Sequence, residues 1–219
     1  MNQPILYINK RGKAASAFML IIALLAWFGL IAQLSITLSN HQPGRTLPGV
    51  LIQFISYFTV ICNALVSISL TAILLNPASG TGHFFSRNTI LTAITLYIMV
   101  VGIVFNTVLR NLLDLTGLAW WVNEIMHVFI PVLFTAFWLA VVPKGGLSYK
   151  NTLPWLWVPF IYLVYTLIRG ALCGLYPYPF MDAGKLGYPQ VAINSLAVLM
   201  VILISGSLLI FVARLLRSK

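Results

Sequence analysis

The sequence predicts an all-α membrane protein: a single bundle of six transmembrane helices with both termini cytoplasmic. Three observations carry this reading. Charged residues make up only 7% of the chain and apolar residues 60%, whereas soluble domains carry about 25% charged residues. Six apolar runs each approach the ~20 residues needed to cross a bilayer. Lys and Arg gather on one side of those runs. No polar stretch is long enough to fold separately, so residues 1–219 read as one integral membrane domain.

The first run, Ala14–Thr37, follows Lys10, Arg11 and Lys13. It begins like a secretory leader but is too long, and no small-residue cleavage site follows, so it reads as a retained span. The remaining runs are Pro48–Leu75, Asn88–Leu109, Leu118–Val142, Pro154–Cys173 and Pro189–Ala213. Short loops between them carry the breakers Pro43-Gly44, Pro77 to Gly82, Pro143 to Gly146 and Tyr176-Pro177-Tyr178-Pro179. With the N-terminus inside, nine basic residues lie inside: Lys10, Arg11, Lys13, Arg87, Lys144, Lys150, Arg214, Arg217 and Lys219. Four lie outside or near the outer boundary: Arg45, Arg110, Arg169 and Lys185. The net charge of +10 therefore reports orientation. No basic-aromatic groove accompanies it, and no nucleic-acid partner is expected. Cys62 and Cys173 fall at different depths, which argues against a disulfide.

Inside the runs, polar residues are costly and therefore informative. In the fourth run Asn123, Glu124 and His127 share one helix face, which must look into protein. The second run carries Gln53, Ser56, Thr59, Asn63 and Ser67, at steps of three, three, four and four. This polar stripe suits interhelical hydrogen bonding. In the third run Thr92, Thr95 and Asn106 read as packing, and Arg110 as a snorkelling arginine. Arg169 in the fifth run has two readings, a snorkelling side chain or an ion pair with Glu124 or Asp182. Gly170 and Gly174 have the spacing of a close helix approach. At 1.5 Å per residue, Thr59 and His127 lie roughly 16 and 14 Å below the outer boundary. A hydroxyl and an imidazole at one depth are the parts of a nucleophile and its base; a hydrogen-bonded core histidine is the other reading. Asn63, Asn123 and the Arg169 guanidinium are available donors for an oxyanion.

Three strings carry a family resemblance: Ser56-Tyr57-Phe58-Thr59 with Asn63; Asn123 through His127 to Pro131; and Tyr165-Thr166-Leu167-Ile168-Arg169-Gly170 followed by Tyr176-Pro177-Tyr178-Pro179-Phe180-Met181-Asp182. From about Phe54 to Tyr188 the chain resembles the androgen-induced and androgen-dependent membrane protein family, and most closely its bacterial six-span (Pr-six-Pr) branch. Animal members are multipass threonine hydrolases that cleave esters between fatty acids and hydroxy fatty acids. The resemblance implies Thr59 as nucleophile and His127 as base. Asn63, Asn123, Glu124, Arg169, Tyr176, Tyr178 and Asp182 would support the chemistry or bind substrate. It further implies a membrane lipid or fatty-acyl ester substrate, no cofactor, no metal, and residence in a bacterial-type cytoplasmic membrane. The Tyr-Pro-Tyr-Pro-Phe block belongs to the bacterial branch, so fold transfers more directly than substrate.

Other functions fit less of the chain. Glu124, His127 and Arg169 would suit a proton-coupled transporter, but no internal repeat is visible. Bis-histidine haem ligation needs a second membrane histidine, and His41 and His83 both lie in loops. The carboxylates and histidines show no compact metal-ligand spacing. A non-catalytic assembly factor remains the alternative to an enzyme.

Overall fold

The computed structural model describes residues 12–40 and 44–216. Lys10, Arg11, His41, Pro43, Arg217 and Lys219, used above for the loops and their charges, lie outside that set. Among the described residues the chain is all helical, and six helices are long and apolar enough to cross a membrane. In chain order the α-helical segments of the described residues are α1 (Lys13–Ser39), α2 (Leu47–Ile55), α3 (Phe58–Leu75), α4 (Gly80–Phe85), α5 (Asn88–Val104), α6 (Gly117–Glu124), α7 (Ile130–Val141), α8 (Thr152–Trp155), α9 (Trp157–Cys173), α10 (Ala183–Leu186) and α11 (Tyr188–Leu215). A π turn, Phe105–Leu109, extends α5, and another, Ile125–Phe129, joins α6 to α7.

α5 is the central post. Every side chain from Leu91 to Ile98 is buried, as expected of a helix that is apolar all round. It packs on α3, α7 and α11, while α1 runs along α3. Met19, Leu70, Ile98, Phe134, Trp138 and Ile210, from five of the spans, belong to one core cluster that Trp155 extends to the remaining span. Within that core Trp138 Nε1 donates to Thr92 Oγ1 at 2.8 Å, and Thr92 donates to the Asn88 carbonyl at 2.6 Å.

Three features differ from the sequence reading, each for a physical reason. First, the run Pro48–Leu75 is not one helix. α2 ends at Ile55, Tyr57 is extended, and α3 starts at Phe58. Two tyrosines of α9 hold the break open. Tyr162 Oη donates to the Ser56 carbonyl at 2.9 Å, and Tyr165 Oη lies 2.7 Å from Ser56 Oγ. Second, the glycines of the fifth span do not serve a helix–helix contact. Gly174 ends α9 in the left-handed region, φ +69°, and a Cβ on Gly170 would lie 2.0–2.4 Å from the Tyr176 ring. The close approach is therefore made by the Tyr176 loop folding back. Third, α5 and its extension reach Leu112, three residues further than expected, which carries Arg110 to the level of Glu124.

α9 is the loosest wall. It buries only Thr166 and Gly170, and its chief helix neighbours are the short α8 and α10. Between α5, α9 and α11 lies a cavity of about 1230 Å³.

Candidate active site

Two local irregularities build the site, one on each side of it. The break at Ser56–Tyr57 puts Thr59 in the first turn of α3, where amides have no carbonyl a turn earlier. The Thr59 N–H donates instead to Tyr178 Oη at 3.2 Å. Asn63, one turn on, donates its Nδ2 to the Thr59 carbonyl at 2.9 Å and to the Met126 carbonyl at 3.3 Å. Both asparagine contacts clamp the first turn of α3 against the π turn that carries His127.

Pro131 accounts for that π turn. In the π register the Ile130 N–H reaches the Ile125 carbonyl. Pro131 has no N–H, so it serves neither the Met126 carbonyl five residues back nor the His127 carbonyl four back. Side chains take them over: Asn63 meets Met126, and Asn106 Nδ2 meets His127 at 3.3 Å. Such freed carbonyls are tolerated at membrane depth only when protein donors satisfy them. Glycines from two neighbouring helices grip the turn. A Cβ on Gly29 would lie 3.1 Å from Met126, and one on Gly102 would lie 3.0 Å from Pro131 and 3.3 Å from the His127 carbonyl.

The result brings Thr59 Oγ1 to 3.3 Å from His127 Nε2. The other ring nitrogen, Nδ1, lies 2.8 Å from the Asn123 carbonyl. A carbonyl only accepts, so Nδ1 carries the proton and Nε2 of the neutral ring is left as an acceptor facing the Thr59 hydroxyl. The imidazole stacks on Phe105, centroids 4.0 Å apart. Tyr178 Oη stands 3.3 Å from Thr59 Oγ1. With the Thr59 proton directed at His127, the phenol donates to the threonine oxygen. Burial pushes the Tyr178 phenol up to about 12, with Thr59 acting against this, so it keeps its proton at neutral pH. Its ring is fixed by stacking on Phe180 and by an edge contact with Tyr57.

No family model, curated protein or solved structure matches the chain. The site must therefore be read from its own geometry. Of the residues singled out in the sequence, Thr59, Asn63, Asn123, His127 and Tyr178 come together. Glu124 and Arg169 do not pair with each other. Arg110 takes both oxygens of Glu124, at 2.7 and 3.0 Å, so Arg110 is no free snorkelling side chain. Arg169 donates to Gln53 Oε1 at 2.6 Å and to the Leu175 carbonyl at 3.0 Å. Asp182 caps α10 and pairs with Lys185 at 3.7 Å. Tyr176 packs on Gly170. Asn63, with its amide committed to two carbonyls, serves as a clamp and not as an oxyanion donor. Asn123 acts through its backbone.

Sequence reasoning assigned Phe105 no part in the site, took Asn106 for packing and Arg110 for a snorkelling side chain, and left the two tyrosines of α9 without a role. Asn106 and Arg110 carried a signal, since they lie one turn apart on the helix preceding Glu124. Among the described residues no three His, Cys, Asp or Glu side chains converge on a metal-sized site.

Thr59 also lines the large cavity, whose other polar side chains are Lys150, Tyr162, Tyr178, Tyr188 and Ser195. The remaining lining side chains are apolar. Five cavity residues, Leu153, Trp157, Phe160, Tyr188 and Leu196, are more than half exposed. The cavity therefore reaches an apolar outer surface between α9 and α11.

Proposed function

We propose that the protein is an intramembrane lipid-ester hydrolase with Thr59 as nucleophile and His127 as base. The observation that carries the reading is the Thr59–His127 contact together with the tautomer imposed by the Asn123 carbonyl. Both helix termini of the chain are taken to be cytoplasmic, from the charge of the loops. The resemblance to androgen-induced and androgen-dependent membrane proteins supports the same pair of residues and an ester of a fatty acid as substrate.

The steps follow from the geometry. An ester in the apolar cavity presents its carbonyl carbon to Thr59 Oγ1. As the new C–O bond forms, the Thr59 proton passes to His127 Nε2. The oxyanion takes hydrogen bonds from the Thr59 amide, at the start of α3, and from the Tyr178 hydroxyl. The bond to the leaving oxygen breaks, and His127 returns the proton to it. Water then attacks the acyl-threonine, His127 accepts its proton, the acid departs, and Thr59 regains its hydrogen. The Asn123 carbonyl stabilises the imidazolium formed on the way, in the place a carboxylate holds in other triads. Arg110 holds both oxygens of Glu124, which weakens the transporter alternative because that carboxylate is already engaged in a structural ion pair.

The test is a fluorophosphonate probe and a panel of lipid esters applied to purified protein. Wild type labels and hydrolyses; Thr59→Ala does neither, and His127→Ala loses about 10²–10⁴-fold in turnover. Since the two act as one unit, the double variant is scarcely worse than either single one. Equal hydrolysis by wild type and both variants overturns the assignment.

A further inference from the structure

A second, polar pocket of about 380 Å³ is lined by Gln33, Thr37, Asn40, Arg45, Gln53 and Tyr57 among others. Its charge is lopsided. The chain has only three acidic side chains. Glu124 is held by Arg110 and Asp182 by Lys185, and among the described residues no carboxylate pairs with Arg45 or Arg169. Arg169 has only neutral partners. By taking Gln53 Oε1 at 2.6 Å it turns the amide end of Gln53 into the free donor of that side chain. Thr37 gives its hydroxyl hydrogen to the Gln33 carbonyl, so the pocket combines the Arg45 guanidinium, side-chain amide donors and the Tyr57 hydroxyl with a second uncompensated guanidinium behind Gln53. Such a donor set with no counter-charge fits an anion.

One pair of touching rings connects the linings of the two spaces. Tyr57 lines the polar pocket and Tyr178 lines the apolar one; their centroids are 5.8 Å apart, nearly perpendicular. Thr59, two residues beyond Tyr57, lies against Tyr178. We propose that the polar pocket binds the anionic head group of a membrane lipid whose chain lies in the apolar cavity. A ligand that straddles Tyr57 and Tyr178 passes Thr59 within a few bonds of its head. The scissile ester therefore sits beside the head group and not in the middle of the chain. This last step rests on the hydrolase reading; the head-group site does not.

The test reads binding on the full-length protein carrying Thr59→Ala, so that turnover plays no part. Oleoyl lysophosphatidylglycerol should raise the unfolding temperature more than monooleoylglycerol, which has the same chain and no charge. Arg45→Gln, at an exposed position, should weaken the anionic lipid about tenfold and leave the neutral one unchanged. Gln53→Glu should do the same by neutralising Arg169 from within the pocket. Equal stabilisation by both lipids, or undiminished binding of the anionic lipid by both variants, overturns the head-group site. Inorganic phosphate that stabilises as well as the lysolipid overturns its assignment to a lipid. If the anionic lipid binds as expected but wild type cleaves no ester, the hydrolase reading falls and the site stands.

Discussion

Arg110 grips both carboxylate oxygens of Glu124, one helix hairpin apart in the sequence. The same guanidinium takes Asn106 Oδ1 at 2.9 Å through Nε, and Asn106 reaches the His127 carbonyl. The ion pair thus braces the turn that carries the histidine. Arg110→Ala strands Glu124, whose side chain is 11% exposed against 36% for the arginine. The expected loss is about 1–3 kcal/mol, below the range for a fully buried pair because one partner is solvated. Thermal unfolding of Arg110→Ala, Glu124→Ala and the double variant checks this. A double variant that loses as much stability as its two singles summed, or more, rules the pair out.

Tyr178→Phe keeps both ring contacts and removes only the hydroxyl. If that hydroxyl stabilises the oxyanion, turnover falls about 10²–10³-fold with little change in KM. A change confined to KM would assign Tyr178 to substrate packing alone. Because the phenol is pushed up to about 12, its deprotonation contributes no alkaline limb to the activity profile near neutral pH.

Gly102→Ala places a methyl group 3.0 Å from Pro131 and 3.3 Å from the His127 carbonyl. Overpacking of this kind costs roughly 1–3 kcal/mol, and here the movement is transmitted to the imidazole. Activity should fall more than the stability loss explains. Assays run well below the unfolding temperature separate the two effects, and full activity there would show that His127 tolerates the shift.

Pro131→Ala restores an N–H to the helix that carries His127. The new donor competes with Asn63 and Asn106 for the carbonyls they now serve, favouring an ordinary α turn. The expected outcome is an unfolding temperature that does not drop and a turnover at least about tenfold lower, the trade of function for regularity seen at strained sites. Unchanged turnover would show that the π turn is incidental to the placement of the imidazole.

The apolar runs make the six spans legible, and a rise of 1.5 Å per residue by itself sets Thr59 level with His127. The break at Ser56–Tyr57 was not legible, because neither Gly nor Pro marks it. Its cause is the pair of tyrosines more than a hundred residues away in the sequence. The same counting assigned Glu124 to Arg169 when Arg110 was the partner. The third span runs on past its apolar stretch, and hydropathy does not register the polar Arg110 and Asn111 in its last turn. Pro131 was visible, but only the structure shows which carbonyls it leaves unserved.

The exposed apolar rim between α9 and α11 has a consequence for measurement. A molecule using that opening arrives sideways out of the bilayer, so what governs occupancy is its mole fraction among the surrounding lipids. Adding inert lipid or detergent at constant bulk substrate should then slow the protein by surface dilution, and adding buffer should not.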